Sequence, residues 1–72
     1  MQTKFNRKKL RAIREENNLT QEELAELSNI SDRHLRKLET ASTNPSADVL
    51  CRISHVLDVP MDTLMTIHSE EQ

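Results

Sequence analysis

Apolar residues recur along this chain three or four positions apart, with polar residues filling the intervals. Leu10 with Ile13, Leu24 with Ala25 and Leu27, Leu35 with Leu38, Leu50 with Ile53 and Leu57, and Met61 with Leu64 and Met65 make five such groups. That spacing puts each group on one face of a helix, whereas a half-buried strand would alternate at every second position. Strand signals are almost absent, so the pattern predicts an all-α fold, a compact bundle of five helices at about 6–17, 20–28, 31–39, 46–57 and 61–67.

Start and stop signals set those bounds. Asn6 is a candidate N-cap for the first helix, with Phe5 and Leu10 at the spacing of a hydrophobic staple. Asn17 and Asn18 stop that helix, because asparagine tolerates the left-handed conformation in which many helices end. Thr20 followed by Glu23 forms a capping-box pattern ahead of the second helix. Ile30 is the apolar residue of the next turn, and Ser31 caps a third helix too short to be stable alone, so packing must hold it. A polar loop from Ala41 to Asn44 leads to Pro45, and Ser46 caps the fourth helix, with Asp48 near its positive end. Asp58 closes it, Val59 packs inward, and Pro60 opens the fifth. Residues 1–67 make one domain, and 68–72 are expected to fray.

A chain of 72 residues has room for one small core. With one phenylalanine and no tyrosine or tryptophan, that core must be aliphatic, which favours a short bundle over a sandwich. No segment reaches the roughly 20 apolar residues of a membrane span, and the basic N-terminus is not followed by the apolar run of a signal peptide. Cys51 is the only cysteine and provides neither an internal disulfide nor a zinc framework, so a cytoplasmic protein is expected. Its place at the edge of the fourth helix suggests a partly buried structural thiol.

The net charge of -2 conceals a sorted distribution. Lys4, Arg7, Lys8, Lys9, Arg11 and Arg14 stand without an acid among residues 1–14, whereas residues 15–30 hold Glu15, Glu16, Glu22, Glu23 and Glu26 without a base. Arg33, Arg36 and Lys37 outnumber Asp32 among residues 31–37, and from Glu39 onward six acids face Arg52. A molecule binds through its local field rather than its total charge. Lys8 and Lys9 lie at the positive end of the first helix, where cations are disfavoured by roughly 0.3–1 kcal/mol each; an anion-binding role accounts for them, as does simple solvation of a charged face.

In this order and spacing, the segments LRAIREENNLTQEELA, NIS, LRKLE, NPSADVLCRI and LDVPMDTLM resemble the phage-repressor and Cro-type, or XRE-like, helix-turn-helix family over about residues 7–65. The resemblance implies a lambda-repressor-like five-helix domain that binds double-stranded DNA, usually as a homodimer on a pseudo-palindromic operator, with helix 31–39 in the major groove. It implies a transcription regulator, with repression the favoured outcome. Where the family commonly shows glycine, this chain has Asn18, Asn29 and Asp58, the residue types that best tolerate positive φ after glycine. Ala41 also stands at a common glycine position and lacks that tolerance.

Affinity for DNA comes mostly from phosphates and specificity from base edges, so the candidate residues divide in two. With Leu35 and Leu38 turned inward, Asp32, Arg33, Arg36 and Lys37 are the candidates for base contact; Arg33 and Lys37 share a face, and arginine suits bidentate bonding to guanine. Asp32 would accept from cytosine, or else only complements the helix dipole. Ser31 is a cap that could also donate to a phosphate. Thr40, Ser42 and Thr43, with Lys8 and Lys9, are further phosphate candidates. His34 is a weaker candidate. By resemblance, Gln21 binds the DNA backbone, and Arg14 pairs with Glu39 as a structural ion pair joining the first helix to the third.

Nothing in the sequence suggests an enzyme, a cofactor, a metal site or a small-molecule ligand: His34, His55 and His68 are far apart, without a local set of cysteines or carboxylates. The scarcity of aromatics argues against single-stranded nucleic acid, whose bases stack on aromatic rings. The alternative reading is a protein-interaction module working through Met61, Met65 and Ile67, or the DNA-binding end of a larger, sensor-bearing regulator.

Overall fold

Each of the four α-helices starts on a cap residue supplied by the sequence. The computed structural model describes residues 2–41 and 44–68. In chain order these form strand β1 (Gln2–Phe5), helices α1 (Arg7–Glu16), α2 (Gln21–Leu27), α3 (Asp32–Thr40) and α4 (Ala47–Leu57), a 3-10 turn (Met61–Leu64) and strand β2 (Met65–His68). Asn6, Thr20, Ser31 and Ser46 each accept, through a side-chain oxygen, the backbone N–H three residues on. Such a cap satisfies one of the otherwise orphaned donors of a helix start. At Thr20 the bond is reciprocated, because the Glu23 carboxylate accepts the Thr20 N–H at 2.8 Å.

Three helices end in the same way without glycine. Asn18, Asn29 and Asp58 adopt φ of 57°, 59° and 58°, the only positive values among the described residues. Behind each, the next residue's N–H reaches back five positions: Leu19 to the Arg14 carbonyl, Ile30 to Ala25 and Val59 to Ser54. These are Schellman closures, and their accompanying apolar residues Leu19, Ile30 and Val59 all pack against the core. Ala41 is extended, at φ -112° and ψ 155°, so the alanine meets no steric obstacle there.

The core is aliphatic, and Leu10, Leu24, Leu35, Leu38, Ile53 and Leu64 at its centre are almost wholly buried. α3 packs against α1 and α2, α4 against α2, and the 3-10 turn bridges α1 and α4. Two side chains depart from expectation. Leu27, counted with the inner face of α2, is 60% exposed, and Cys51 is exposed rather than partly buried.

The largest departure is at the ends of the chain. The fold is mostly helical, with four α-helices rather than five: the segment expected as a helix at 61–67 makes one 3-10 turn and then becomes β2, antiparallel to β1. His68, expected in the frayed tail, closes that strand; the rest of the tail, 69–72, lies outside the described residues. The Met65 N–H closes on the Asp62 carbonyl, and Met65 itself is already extended. From there the N-terminal segment competes for the backbone: the Asn6 N–H donates to the Leu64 carbonyl at 2.8 Å, and Asn6 Nδ2 donates to Thr66 Oγ1 at 2.6 Å. Thr3, Thr66 and Ile67 are β-branched and favour the pleated state. A helix-period pattern of three apolar residues was too short to outweigh a partner 60 positions away in sequence.

Candidate nucleic-acid interface

α2 and α3 are joined by a turn only four residues long, Ser28–Ser31, in which Asn29 carries the chain through positive φ. Leu35 and Leu38 fasten α3 to the core at 0% and 1% exposure. Arg33, His34, Arg36 and Lys37 are consequently exposed, and Asp32 is half-exposed in the first helical turn. Arg33 and Lys37 lie one turn apart on this outer surface. Arg36 approaches Asp32 at 3.9 Å with both side chains largely in solvent, so the pair is loose and worth little.

A buried ionic network fixes the angle of this helix. Arg14 Nε donates to Glu39 Oε2 at 2.6 Å and Arg14 Nη2 to Glu39 Oε1 at 3.1 Å, with side-chain exposures of 10% and 1%. Arg14 Nη1 also donates to the Leu19 carbonyl at 2.7 Å, and Gln21 Nε2 donates to Glu39 Oε1 at 2.9 Å. One carboxylate at the end of α3 is thereby tied to α1, and through Gln21 to the start of α2. The Arg14 pKa is raised, chiefly by the hydrogen bond to Glu39, with the charges of Glu39 and Glu15 adding to the effect and burial opposing it. Buried charges are tolerated when paired and hydrogen-bonded in this way.

The remaining candidates surround α3 with hydroxyls, an amide and cations. Ser31 Oγ accepts the His34 N–H at 3.0 Å, and a hydroxyl used as an acceptor still has its own hydrogen to donate. Thr40, expected to follow α3, is its last residue, and its hydroxyl donates to the Arg36 carbonyl at 2.8 Å. To reach a phosphate it would have to give up that bond. Gln21 is half-buried and gives one amide hydrogen to Glu39, leaving the second. Lys8 and Lys9 are exposed on the first turn of α1. Ser42 and Thr43 lie outside the described residues.

Two supports were not anticipated. The Gln21 bond to Glu39 spans 18 positions and has no local signature. Arg52 Nη1 donates to the Asn29 carbonyl at 3.2 Å while Nη2 holds Asp48, so α4 braces the turn before α3. Only the pairing of Asp48 with Arg52, four apart on a helix, could have been read in advance. Among the described residues, no group of three or more His, Cys, Asp or Glu side chains is placed to hold a metal ion, and no helix is long and apolar enough to cross a membrane.

Two helices joined by a tight turn, the second presenting a basic outer face, define a helix-turn-helix protein. Residues 10–64 match the Helix-turn-helix family model, and the chain belongs to that family in its Cro/C1-type, XRE-like form, a class of DNA-binding transcription regulators. It is 43% identical over 54 residues to a protein of Methanococcus vannielii described as an HTH-type transcriptional regulatory protein, and 38% identical over 58 residues to one of Methanocaldococcus jannaschii. Those alignments cover 75% and 81% of the chain but only 16% and 18% of the relatives' own lengths. Among solved structures it resembles the biofilm master regulator SinR in complex with DNA, at TM-score 0.76 and 34% identity, over 81% of this chain and 94% of that one. It also resembles the clp gene regulator ClgR of Corynebacterium glutamicum, at TM-score 0.74 and 32% identity, over 81% and 63% of the two chains.

Proposed function

We propose that residues 1–67 form a sequence-specific binding unit for double-stranded DNA that lays α3 in the major groove, as a homodimer on a pseudo-palindromic operator, and represses transcription there. The observation that carries the reading is the division of α3 into two faces. Leu35, Leu38 and Glu39 are locked into the bundle, while Arg33, Arg36 and Lys37 stand exposed on a helix whose orientation the buried network holds. Side chains on a fixed helix reach base edges at reproducible positions, which discrimination requires.

In this reading Asp32, Arg33, Arg36 and Lys37 contact bases. Gln21, Ser31, Lys8 and Lys9 contact phosphates, joined by Thr40, Ser42 and Thr43 where the chain leaves α3. The loose Arg36 contact to Asp32 breaks at little cost, which frees both side chains for the groove. The similarity to a regulator solved with DNA supports the choice of partner.

Selection from random duplexes, followed by mobility shift, tests the reading. A palindromic consensus should emerge. Arg33→Ala should lose about 1–3 kcal/mol of discrimination at one position of each half-site while retaining binding to unrelated duplexes. Absence of any preferred sequence at low salt would sink the proposal. A reporter carrying the selected site between promoter and gene tests repression, since an activator would raise expression.

A further inference from the structure

We propose that the cleft between α4 and the 3-10 turn is a binding site for one copper(I) ion, held by the Cys51 thiolate, the His55 imidazole and the Met61 thioether. The cleft is lined by α4 and the segment that follows it rather than by α3, and the DNA-binding reading leaves these three side chains without a role.

Helix periodicity brings the first two donors together. Cys51 and His55 stand one turn apart on α4 and both are exposed; side chains four apart on a helix have Cβ atoms roughly 5–6 Å apart. Two ligands at this spacing can hold one ion from a single helix face, as the helical histidine pair of zinc proteases does. The way α4 ends supplies the third donor. Asp58, at φ 58°, turns the chain back, and the Val59 N–H closes on the Ser54 carbonyl at 3.0 Å. The 3-10 turn that follows is fastened to the core by the fully buried Leu64 and packs beside α4. Met61 is thereby set at the start of that turn, lining the same cleft of about 570 Å³ as Cys51 and His55. It is 37% exposed, and an apolar core role does not account for that. Ser54 also lines the cleft, but it is buried and its hydroxyl donates to the Cys51 carbonyl at 2.9 Å.

The donor types choose the metal. Thiolate and thioether are soft ligands that select copper(I), and imidazole also suits copper. Zinc instead takes four donors, drawn from cysteine, histidine and carboxylate side chains. Among the described residues no three of those side chains are placed to hold an ion, so a set completed by a thioether fits copper(I) and not zinc. Asp58 adds a carboxylate to the cleft wall, where its charge favours an approaching cation without supplying a soft bond. On binding, the Cys51 S–H bond breaks, its proton passes to solvent and a Cu–S bond forms, while His55 and Met61 each donate a lone pair. Copper stays in the +1 state throughout, so no electron is transferred.

The test is an anaerobic titration of the chain with copper(I), kept reduced by ascorbate, in competition with the chromophoric chelator bicinchoninate. One copper(I) should bind per chain. Losing an outer partner of a metal ligand costs roughly 10–100-fold in affinity, so Cys51→Ser, which removes a ligand itself, should cost about 100-fold or more. His55→Gln and Met61→Leu should each cost about tenfold or more. Met65→Leu removes a thioether outside the cleft and should leave the affinity at the wild-type value. Each variant should keep the wild-type helical circular dichroism, because Cys51, His55 and Met61 are exposed and Met65→Leu nearly conserves volume. X-ray absorption of the copper-loaded wild type should show two sulfur neighbours and one nitrogen, a readout that needs no variant. Wild-type affinity in any of the three cleft variants, one copper shared between two chains, a copper shell without the second sulfur, or displacement of copper(I) by excess zinc(II) would overturn the assignment.

Discussion

An asparagine or aspartate at positive φ closes a helix at a higher backbone cost than glycine but keeps the chain stiffer when unfolded. Asn18, Asn29 and Asp58 make that exchange at three Schellman closures. For ordinary L-residues the left-handed conformation costs roughly 1–2 kcal/mol. Asn18→Ala, Asn29→Ala and Asp58→Ala should each lower stability by about 1 kcal/mol, measured as a fall in urea midpoint without a change in slope, and the corresponding glycines should stay near wild type. An alanine variant with an unchanged midpoint would show that positive φ carries no penalty at its site. These positions were legible because the requirement is local: a helix stop followed by an apolar residue selects from few side chains. Ser28, between α2 and Asn29, was not. Its hydroxyl is buried without a hydrogen-bond partner among the described residues, and no local pattern announces that. Ser28→Ala should therefore leave the domain as stable as wild type or more so, since it removes an unpaired polar group.

Between elements, stability depends on residues distant in sequence, and the Arg14–Glu39 network is the clearest case. Removing one member leaves the other charge buried without its partner, so Arg14→Met or Glu39→Leu alone should cost about 3–5 kcal/mol. The double replacement should recover most of that loss, because a well-packed apolar pair often matches a buried ion pair. Chemical denaturation of the two single variants and the double closes the cycle, and a strictly additive result would deny the coupling. The raised Arg14 pKa fixes the sign of its pH dependence: its contribution is complete at every pH below the ordinary guanidinium range and is lost only as pH climbs through the raised value. Titration of Arg14 should therefore contribute no change in stability between about pH 7 and 9. The pair could be assigned only through resemblance, since nothing local links positions 25 apart. The same lack of long-range information hid β2, where Asn6 and Thr66 meet across 60 positions and override a helix pattern carried by Met61, Leu64 and Met65.

At the scale of the whole molecule, the DNA-binding reading requires a protein of net charge -2 to approach a polyanion, and only the arrangement of its charges makes that favourable. Arg33, Arg36 and Lys37 lie exposed on α3, and Lys8 and Lys9 on the first turn of α1, whereas Glu22, Glu23 and Glu26 occupy the exposed surface of α2. The sorting was visible in the linear sequence; which cations remain in solvent was not, because Arg14 is consumed by Glu39 and Arg52 by Asp48 and the Asn29 carbonyl. The two lysines of α1 sit where the helix dipole disfavours them, and in the DNA-binding reading each meets one phosphate. Neutralising a phosphate releases counterions, so the logarithm of affinity falls with the logarithm of salt by about 0.9 per phosphate contacted. Lys8→Ala combined with Lys9→Ala should weaken binding to the selected operator and to unrelated duplexes by the same factor. It should also flatten the salt dependence by about 2, one step for each lost contact, while the selected sequence stays unchanged. Arg33→Ala should behave in the opposite way, changing the preferred base while leaving nonspecific binding intact. A double-lysine variant with wild-type salt slope would assign those cations to the solvated face alone, whereas a variant that altered base preference would move α1 from the phosphate backbone into the groove.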